Sequence, residues 1–291
     1  MTGAAMRDIC YLNGEFLPLE RACISPMDRG FLFGDGAYEV VPVYGGRPFR
    51  LPAHLRRLDQ TLAGIRLPNP HTHEHWTRLI HELLAAGRWR DAGVYLQITR
   101  GVPEQRDHAF PEGTRPTVFM TASPLPTPMP PDSEQGKSAV RLQDNRWGRC
   151  DLKTVALLPN VLLRQQAVEA GADEALLLRD GQLTEGAASN AFVVCENRVK
   201  TPLQGPGLLP GVTRDFVVEL LRDHGVACEC TTISAEELAR ADEIWLTSST
   251  KELLPVTRLD GEPVGDGRPG PMWRRTRAWF DEHKAAWAAG G

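Results

Sequence analysis

The sequence contains no apolar run of about 18 residues, so no segment reads as a membrane-spanning helix. Met1 to Cys10 has no apolar stretch of the kind that leads a secretory signal, and the expected compartment is the cytoplasm. Basic residues are not in excess: 33 Lys and Arg against 37 Asp and Glu leave a net charge of -4. This argues against nucleic acid or an anionic membrane as the main partner, so any bound anion has to be held by a local cluster. Cysteines are few, at 10, 23, 150, 195, 228 and 230, and are most simply reduced thiols. Cys228-Glu-Cys230 shares one face of an expected strand but lacks the second pair that a structural zinc site needs. No internal repeat is visible. What remains is the composition of a globular protein, 42% hydrophobic and 24% charged, with length enough for one large or two medium domains.

Strand and helix signals alternate without a regular βαβ rhythm. Ile9 to Pro18 reads as a hairpin about Asn13-Gly14, and strands are expected over Tyr38–Tyr44, Gly93–Thr99 and Thr117–Ala122. Leu55, Leu58, Leu62 and Ile65 recur at helical spacing within Pro52–Ile65, and a second helix spans Trp76–Ala86. His71 and His75 would face the same way on a helix, but they follow Pro68 and Pro70 and read as a solvated helix start rather than a metal site. Ser123 to Asp132 holds five prolines, a stiff extended linker. The chain is therefore divided into a small N-terminal domain (1–122), a linker (123–136) and a larger C-terminal domain (137–291). The second part offers strands over Ala139–Gln143, Glu174–Arg179, Ala191–Cys195, Cys228–Ile233 and Glu243–Thr247. Its expected helices are Asn160–Ala170, Thr213–Asp223, Ala235–Ala241 and one from Met272.

Chemistry gathers around Lys153. Arg146, Arg149 and Asp151 precede it, and the apolar run Val155 to Leu158 follows. Desolvation and neighbouring cations both lower a lysine pKa, the usual route to a Schiff-base nucleophile, although alone this lysine reads as a solvated one. Three anion sites change the balance. Gly211-Val212-Thr213 opens a helix and offers free amides and a hydroxyl. Thr247-Ser-Ser-Thr250 supplies four hydroxyls at a strand end, and Arg57 adds a charge. With Glu185 as an acid for a pyridine nitrogen and Leu209 as packing, the set matches what pyridoxal 5'-phosphate needs from a protein.

The motifs Gly34-Asp-Gly36-x-Tyr38-Glu, His54-x-x-Arg57-Leu, Arg106-x-His108 and Arg146-Trp-x-Arg-Cys-Asp-x-Lys153 occur in order along the chain. Thr184-Glu185-Gly-x-x-Ser-Asn190, Gly211-Val-Thr213-Arg and Thr247-Ser-Ser-Thr250 follow. From about Tyr11 to Val256 the sequence resembles the fold-type-IV pyridoxal-phosphate enzymes, the D-amino-acid aminotransferases in particular. The resemblance implies an α/β (α+β) fold of two domains, a small N-terminal α/β domain and a larger C-terminal pseudo-barrel α/β domain, with the cofactor between them in a homodimer. It implies that Lys153 carries the Schiff base and moves the substrate proton, and that Glu185 pairs with the ring nitrogen. Arg57, Val212, Thr213, Ser248 and Ser249 would hold the phosphate, and Leu209 the ring. Tyr38, Arg106 and His108 would trap the substrate carboxylate, the Arg106 loop coming from the other subunit, with Arg146 supporting the site from behind. The implied reaction is transamination between a D-amino acid, such as D-alanine or D-glutamate, and 2-oxoglutarate or pyruvate.

A branched-chain L-amino-acid or (R)-amine transaminase, or an aminodeoxychorismate lyase, would keep the cofactor and change the reaction, but would not require Arg106-x-His108. A non-catalytic phosphate-ligand binder would leave the Lys153–Glu185 pairing unexplained. Ala187 and Ala188, where the family often has serines, and Pro210, which withdraws an amide before Gly211, are departures that bear on cofactor affinity rather than on reaction class.

Overall fold

The N-terminal hairpin forms as its Asn-Gly turn requires: strands β1 (Ile9–Leu12) and β2 (Glu15–Pro18) flank Asn13 and Gly14, both at positive φ. The computed structural model describes residues 8–290. A short helix α1 (Arg29–Phe33) follows, capped by the Asp28 side chain and ended by Gly34 in the left-handed conformation. Next come β3 (Gly36–Tyr44), β4 (Arg47–Pro48), α2 (Leu51–Gly64), α3 (His73–Ala86), β5 (Ala92–Thr99) and β6 (Thr117–Ser123). The six strands make one antiparallel sheet in the order β2-β1-β6-β5-β3-β4. Leu51, Leu55, Leu58 and Leu62 of α2 and Trp76, Leu79, Ile80 and Leu83 of α3 bury their apolar stripes with Val41, Val94, Leu96 and Ile98 of the sheet.

The rest of the chain supplies β7 (Lys137–Gln143), α4 (Leu158–Glu169), β8 (Glu174–Arg179), β9 (Gln182–Gly186), β10 (Asn190–Cys195) and β11 (Arg198–Pro202). It continues through α5 (Val212–Asp223), β12 (Cys228–Thr231), α6 (Ala235–Ala239), β13 (Glu243–Ser248), β14 (Glu252–Leu259), β15 (Glu262–Pro263) and α7 (Pro271–Ala289). The nine strands form a mixed sheet, β12-β11-β10-β13-β14-β7-β8-β9, with β15 added beside β14. Its parallel pairs are β11–β12, β14–β7 and β7–β8. β8 is covered on both faces: Leu176 packs with Leu183, Val193 and Ile244, while Leu177 packs with Leu163 and Ala167 of α4.

The chain divides into two compact units, with a break between Leu125 and Pro126, inside the proline-rich segment. The lysine segment departs from the expected division. Leu152–Leu157 belongs to the first unit, as does the chain from Trp287 onward. The cause is strand pairing: the Lys153 carbonyl accepts from Tyr38 N at 3.0 Å, Val155 N donates to Gly36 O at 3.0 Å, and Ala37 bridges Thr154. The segment runs along the part of β3 that β4 leaves uncovered. The sequence reading also lacks α1, β11, β14 and β15 and assigns β9 to no strand. The run from Val155 forms no apolar wall, since Leu158 is 67% exposed. His71 and His75 stack their rings 4.2 Å apart ahead of and within the first turn of α3. Among the described residues, the six cysteines are free.

Candidate functional site

The expected site residues divide between the units: Tyr38, Arg57, Arg106, His108 and Lys153 in the first, and Arg146, Glu185, Leu209, Val212, Thr213, Ser248 and Ser249 in the second.

In the first unit, close approach of β3 to β5 is what Gly36 allows, since a Cβ there would lie 2.5 Å from Ile98 O. Two residues on, Tyr38 presents its ring to Lys153, whose Nζ stands 4.0 Å from the ring centroid. Lys153 N donates to Thr61 Oγ1 at 3.1 Å, which ties the lysine backbone to α2. Glu39, on the opposite face of β3, is buried and accepts from Arg57 Nε at 2.7 Å and Nη2 at 2.8 Å, and lies 2.8 Å from His54 Nδ1. Burial acts to raise the Glu39 pKa, but the Arg57 charge and hydrogen bonds outweigh it, and the carboxyl is held well below the usual range. Burial lowers the His54 pKa despite that carboxylate. Arg57 therefore has a fixed guanidinium on α2, and the residues that fix it, Glu39 and His54, stand in the sequence motifs without an assigned role. The signal was present: His54 and Arg57 lie one turn apart on the apolar face of α2.

Arg106 and His108 sit on the exposed loop between β5 and β6. Phe33 lies beneath both, its centroid 4.8 Å from Arg106 Cζ and 5.2 Å from the His108 ring. The structure thus sets Tyr38 beside the lysine and Arg106 and His108 together on α1.

In the second unit, Glu185 lies on β9 and is buried. Its Oε1 accepts from Arg146 Nη1 at 2.5 Å, and its Oε2 accepts from Asn190 Nδ2 and Leu209 N, each at 3.1 Å. Burial raises its pKa more than Arg146 lowers it, and the carboxyl is pushed up to about 7. Arg146 also reaches Asp144, with Nε at 2.9 Å and Nη2 at 3.0 Å. Asn190 Nδ2 donates to Leu209 O at 2.9 Å as well, so one amide ties the carboxylate strand to the loop before α5. Gly211 ends that loop: a Cβ there would fall 1.8 Å from Asn190 Oδ1. The first amides of α5, at Val212 and Thr213, begin from Gly211 without a side-chain cap. Across β10–β13, Asn190 pairs with Thr247. Thr247 Oγ1 is buried and has no hydrogen-bond partner among the described residues, and Ser248 and Ser249 follow it, half-buried.

These observations fit pyridoxal phosphate: uncapped helix amides and an orphaned hydroxyl suit a phosphate, and a carboxyl poised near neutrality suits a ring nitrogen. Asn190 and Asp144 are the residues the sequence reading left without a role here.

The family model "Amino-transferase class IV" matches residues 36–259. The D-alanine aminotransferase of Bacillus licheniformis is 38% identical over 265 residues, covering 91% of this chain and 93% of that protein. The D-alanine aminotransferase of Staphylococcus haemolyticus is 35% identical over 274 residues, covering 94% and 96%. Among solved structures, the branched-chain amino acid aminotransferase of Escherichia coli superposes with a TM-score of 0.86 at 26% identity, covering 95% of this chain and 94% of that one. The branched-chain amino acid aminotransferase of Thermoproteus uzoniensis, solved with norvaline, gives 0.82 at 23%, covering 95% and 94%, which speaks to the fold alone.

Proposed function

The chain belongs to the class IV aminotransferases, and we propose that it interconverts a D-amino acid of the D-alanine or D-glutamate type with a 2-oxo acid such as 2-oxoglutarate or pyruvate. The observation that carries the chemistry is Glu185, a buried carboxyl fixed by three donors yet basic near neutrality. The preference for the D enantiomer rests on the relatives: the D-alanine enzymes align at 34–38% identity, the branched-chain enzymes at 23–26%.

Bound pyridoxal phosphate supplies an electron-withdrawing ring that makes the Cα proton of an attached amino acid removable. Lys153 Nζ, set over Tyr38, is the amine that would hold the cofactor aldehyde and carry the proton at the substrate Cα. Glu185 would accept from the protonated ring nitrogen, and Arg146 orients Glu185 from behind. Arg57, the amides of Val212 and Thr213, and the hydroxyls of Thr213, Ser248 and Ser249 would hold the phosphate, and Leu209 the ring. Arg106 and His108, with Tyr38, hold the substrate α-carboxylate, the one group all amino-acid substrates share. Fixing that group decides which enantiomer presents its hydrogen to Lys153.

We also infer a cytoplasmic homodimer. Leu158, Val161, Leu162 and Val168 leave α4 with an exposed apolar row suited to a second copy. No helix among the described residues is long and apolar enough to cross a membrane.

Purified protein given pyridoxal phosphate is expected to be yellow, and borohydride followed by peptide mapping to leave the pyridoxyl mass on Lys153. A colourless protein rules the cofactor assignment out. In single half-reactions followed by cofactor absorbance, D-alanine should react and L-alanine should not; equal rates would remove the stereochemical reading.

A further inference from the structure

We infer that Arg29 is the positioning residue of the substrate-carboxylate anchor, fixing the backbone from which Arg106 and His108 project. The inference rests on the reading of those two residues as carboxylate ligands. Arg29 opens α1 and is only 3% exposed. Its Nη1 donates to Asp107 O at 2.5 Å and to Ala109 O at 3.1 Å, and its Nη2 donates to His108 O at 3.2 Å. One guanidinium thus holds three consecutive carbonyls of the loop. Its Nε donates to Asp35 Oδ2 at 2.7 Å. Asp35 is itself gripped by Arg100, through Nε at 2.8 Å and Nη2 at 3.0 Å, so the clamp has a fixed base. Burial acts to raise the Asp35 pKa, yet the hydrogen bonds from Arg100 and Arg29 hold it below the usual carboxylate value.

The loop has little else to define it. Glu104–Phe110 is exposed and carries neither strand nor helix. Its far end is held by Phe110, whose ring lies 3.7 Å from Arg100 Cζ. The same short helix supplies Phe33, on which Arg106 and His108 rest. A planar fork can reach a carboxylate and three carbonyls at once; a lysine ammonium in its place keeps the charge but cannot span them. Loosening the clamp therefore acts on capture of the carboxylate and spares the proton transfer at Lys153.

The test is Arg29→Lys in the holoenzyme. KM for D-alanine and for 2-oxoglutarate should rise by about tenfold or more with kcat changed less than about threefold. The absorbance of bound cofactor should not move. Hydrogen exchange should accelerate at 104–110 and stay unchanged over β3. Arg106→Ala, assayed alongside, separates the two readings. If Arg106→Ala raises KM while Arg29→Lys leaves KM and loop exchange at wild-type values, the clamp is refuted and the anchor stands. If Arg106→Ala leaves KM unchanged, the anchor falls and takes the clamp with it. A loss confined to kcat, or faster exchange over β3 as well, would mark Arg29 as a general structural residue and also refute the inference. Should Arg29→Lys not fold, Asp35→Asn removes the charge that orients Arg29 Nε and is expected to give the same KM shift.

Discussion

Glu39 in the first unit and Glu185 in the second are both almost wholly buried, at 1% and 4% exposure, and both face an arginine. Arg57 gives Glu39 two nitrogens, and its charge prevails over burial, so Glu39 stays ionised. Arg146 is shared. It spends Nε and Nη2 on Asp144 and only Nη1 on Glu185, whose other donors, Asn190 and the Leu209 amide, are neutral. Burial therefore wins at Glu185, and the nearby Asp144 charge adds to the rise. Whether the arginine gives the carboxylate two charged donors or one decides which carboxylate is a fixed strut and which stays basic near neutrality to face a ring nitrogen.

Substitution should separate the two roles sharply. Glu185→Gln is expected to slow transamination by about 10³-fold, roughly 4 kcal/mol in barrier, without lowering stability at neutral pH, where the wild-type carboxyl has lost its folding contribution. Rapid-mixing half-reactions and a denaturant midpoint measure both. Glu39→Gln should do the reverse in kind, costing about 3 kcal/mol of stability because Arg57 and His54 lose their buried carboxylate. A Glu185→Gln protein that unfolds as readily as Glu39→Gln would erase the distinction.

Stability against pH gives the next effect. The Glu185 carboxyl is raised from 4.5 to about 7 on folding, so the folded protein binds that proton more tightly. Its stabilising contribution is complete below pH 4.5 and is lost as the pH rises to about 7. Glu39 is depressed, so its contribution is present above 4.5 and is lost as the pH falls. Thermal midpoints of cofactor-free protein should then decline between about pH 5 and about 7 in wild type relative to Glu185→Gln. Below pH 4.5 the wild-type advantage over Glu39→Gln should shrink. A flat difference between wild type and Glu185→Gln would mean that Glu185 titrates as an ordinary carboxyl.

How much of this was legible in the sequence depended on whether a feature was local. Helices α2, α3, α5 and α7 carry their own apolar spacing, and the Asn13-Gly14 hairpin carries its own turn. Gly211 and Thr213 could be read because a helix start is a local event. The placement of Lys153 could not be read that way. Its strand partner is β3, more than a hundred residues earlier, whereas the proline run that suggested a boundary lies nearby in sequence. The role of Glu39 was hidden for the same reason: a carboxylate on a strand takes its meaning from α2, 15 and 18 residues on. Arg29 sits in a helix of five residues, too short to show a period, with Asp35 just beyond it, and their partners lie about 65 to 80 residues away. Asp144 stood two residues from Arg146 throughout, but a pair at that spacing says nothing about which third group the arginine will face.

That third group supplies the smallest and most direct test of the divided arginine. Asp144→Asn preserves shape while removing the charge that competes for Arg146 and that also opposes proton loss at Glu185. Both changes favour the ionised form of Glu185, so its pKa should fall. The difference in thermal midpoint between Asp144→Asn and the double variant Asp144→Asn/Glu185→Gln should decline over a lower pH range than the corresponding wild-type pair. Transamination should slow only a few-fold, since Glu185 and its three donors remain in place. An unchanged or higher titration range would show that Asp144 holds Arg146 in position rather than dividing its charge, and that burial alone raises Glu185.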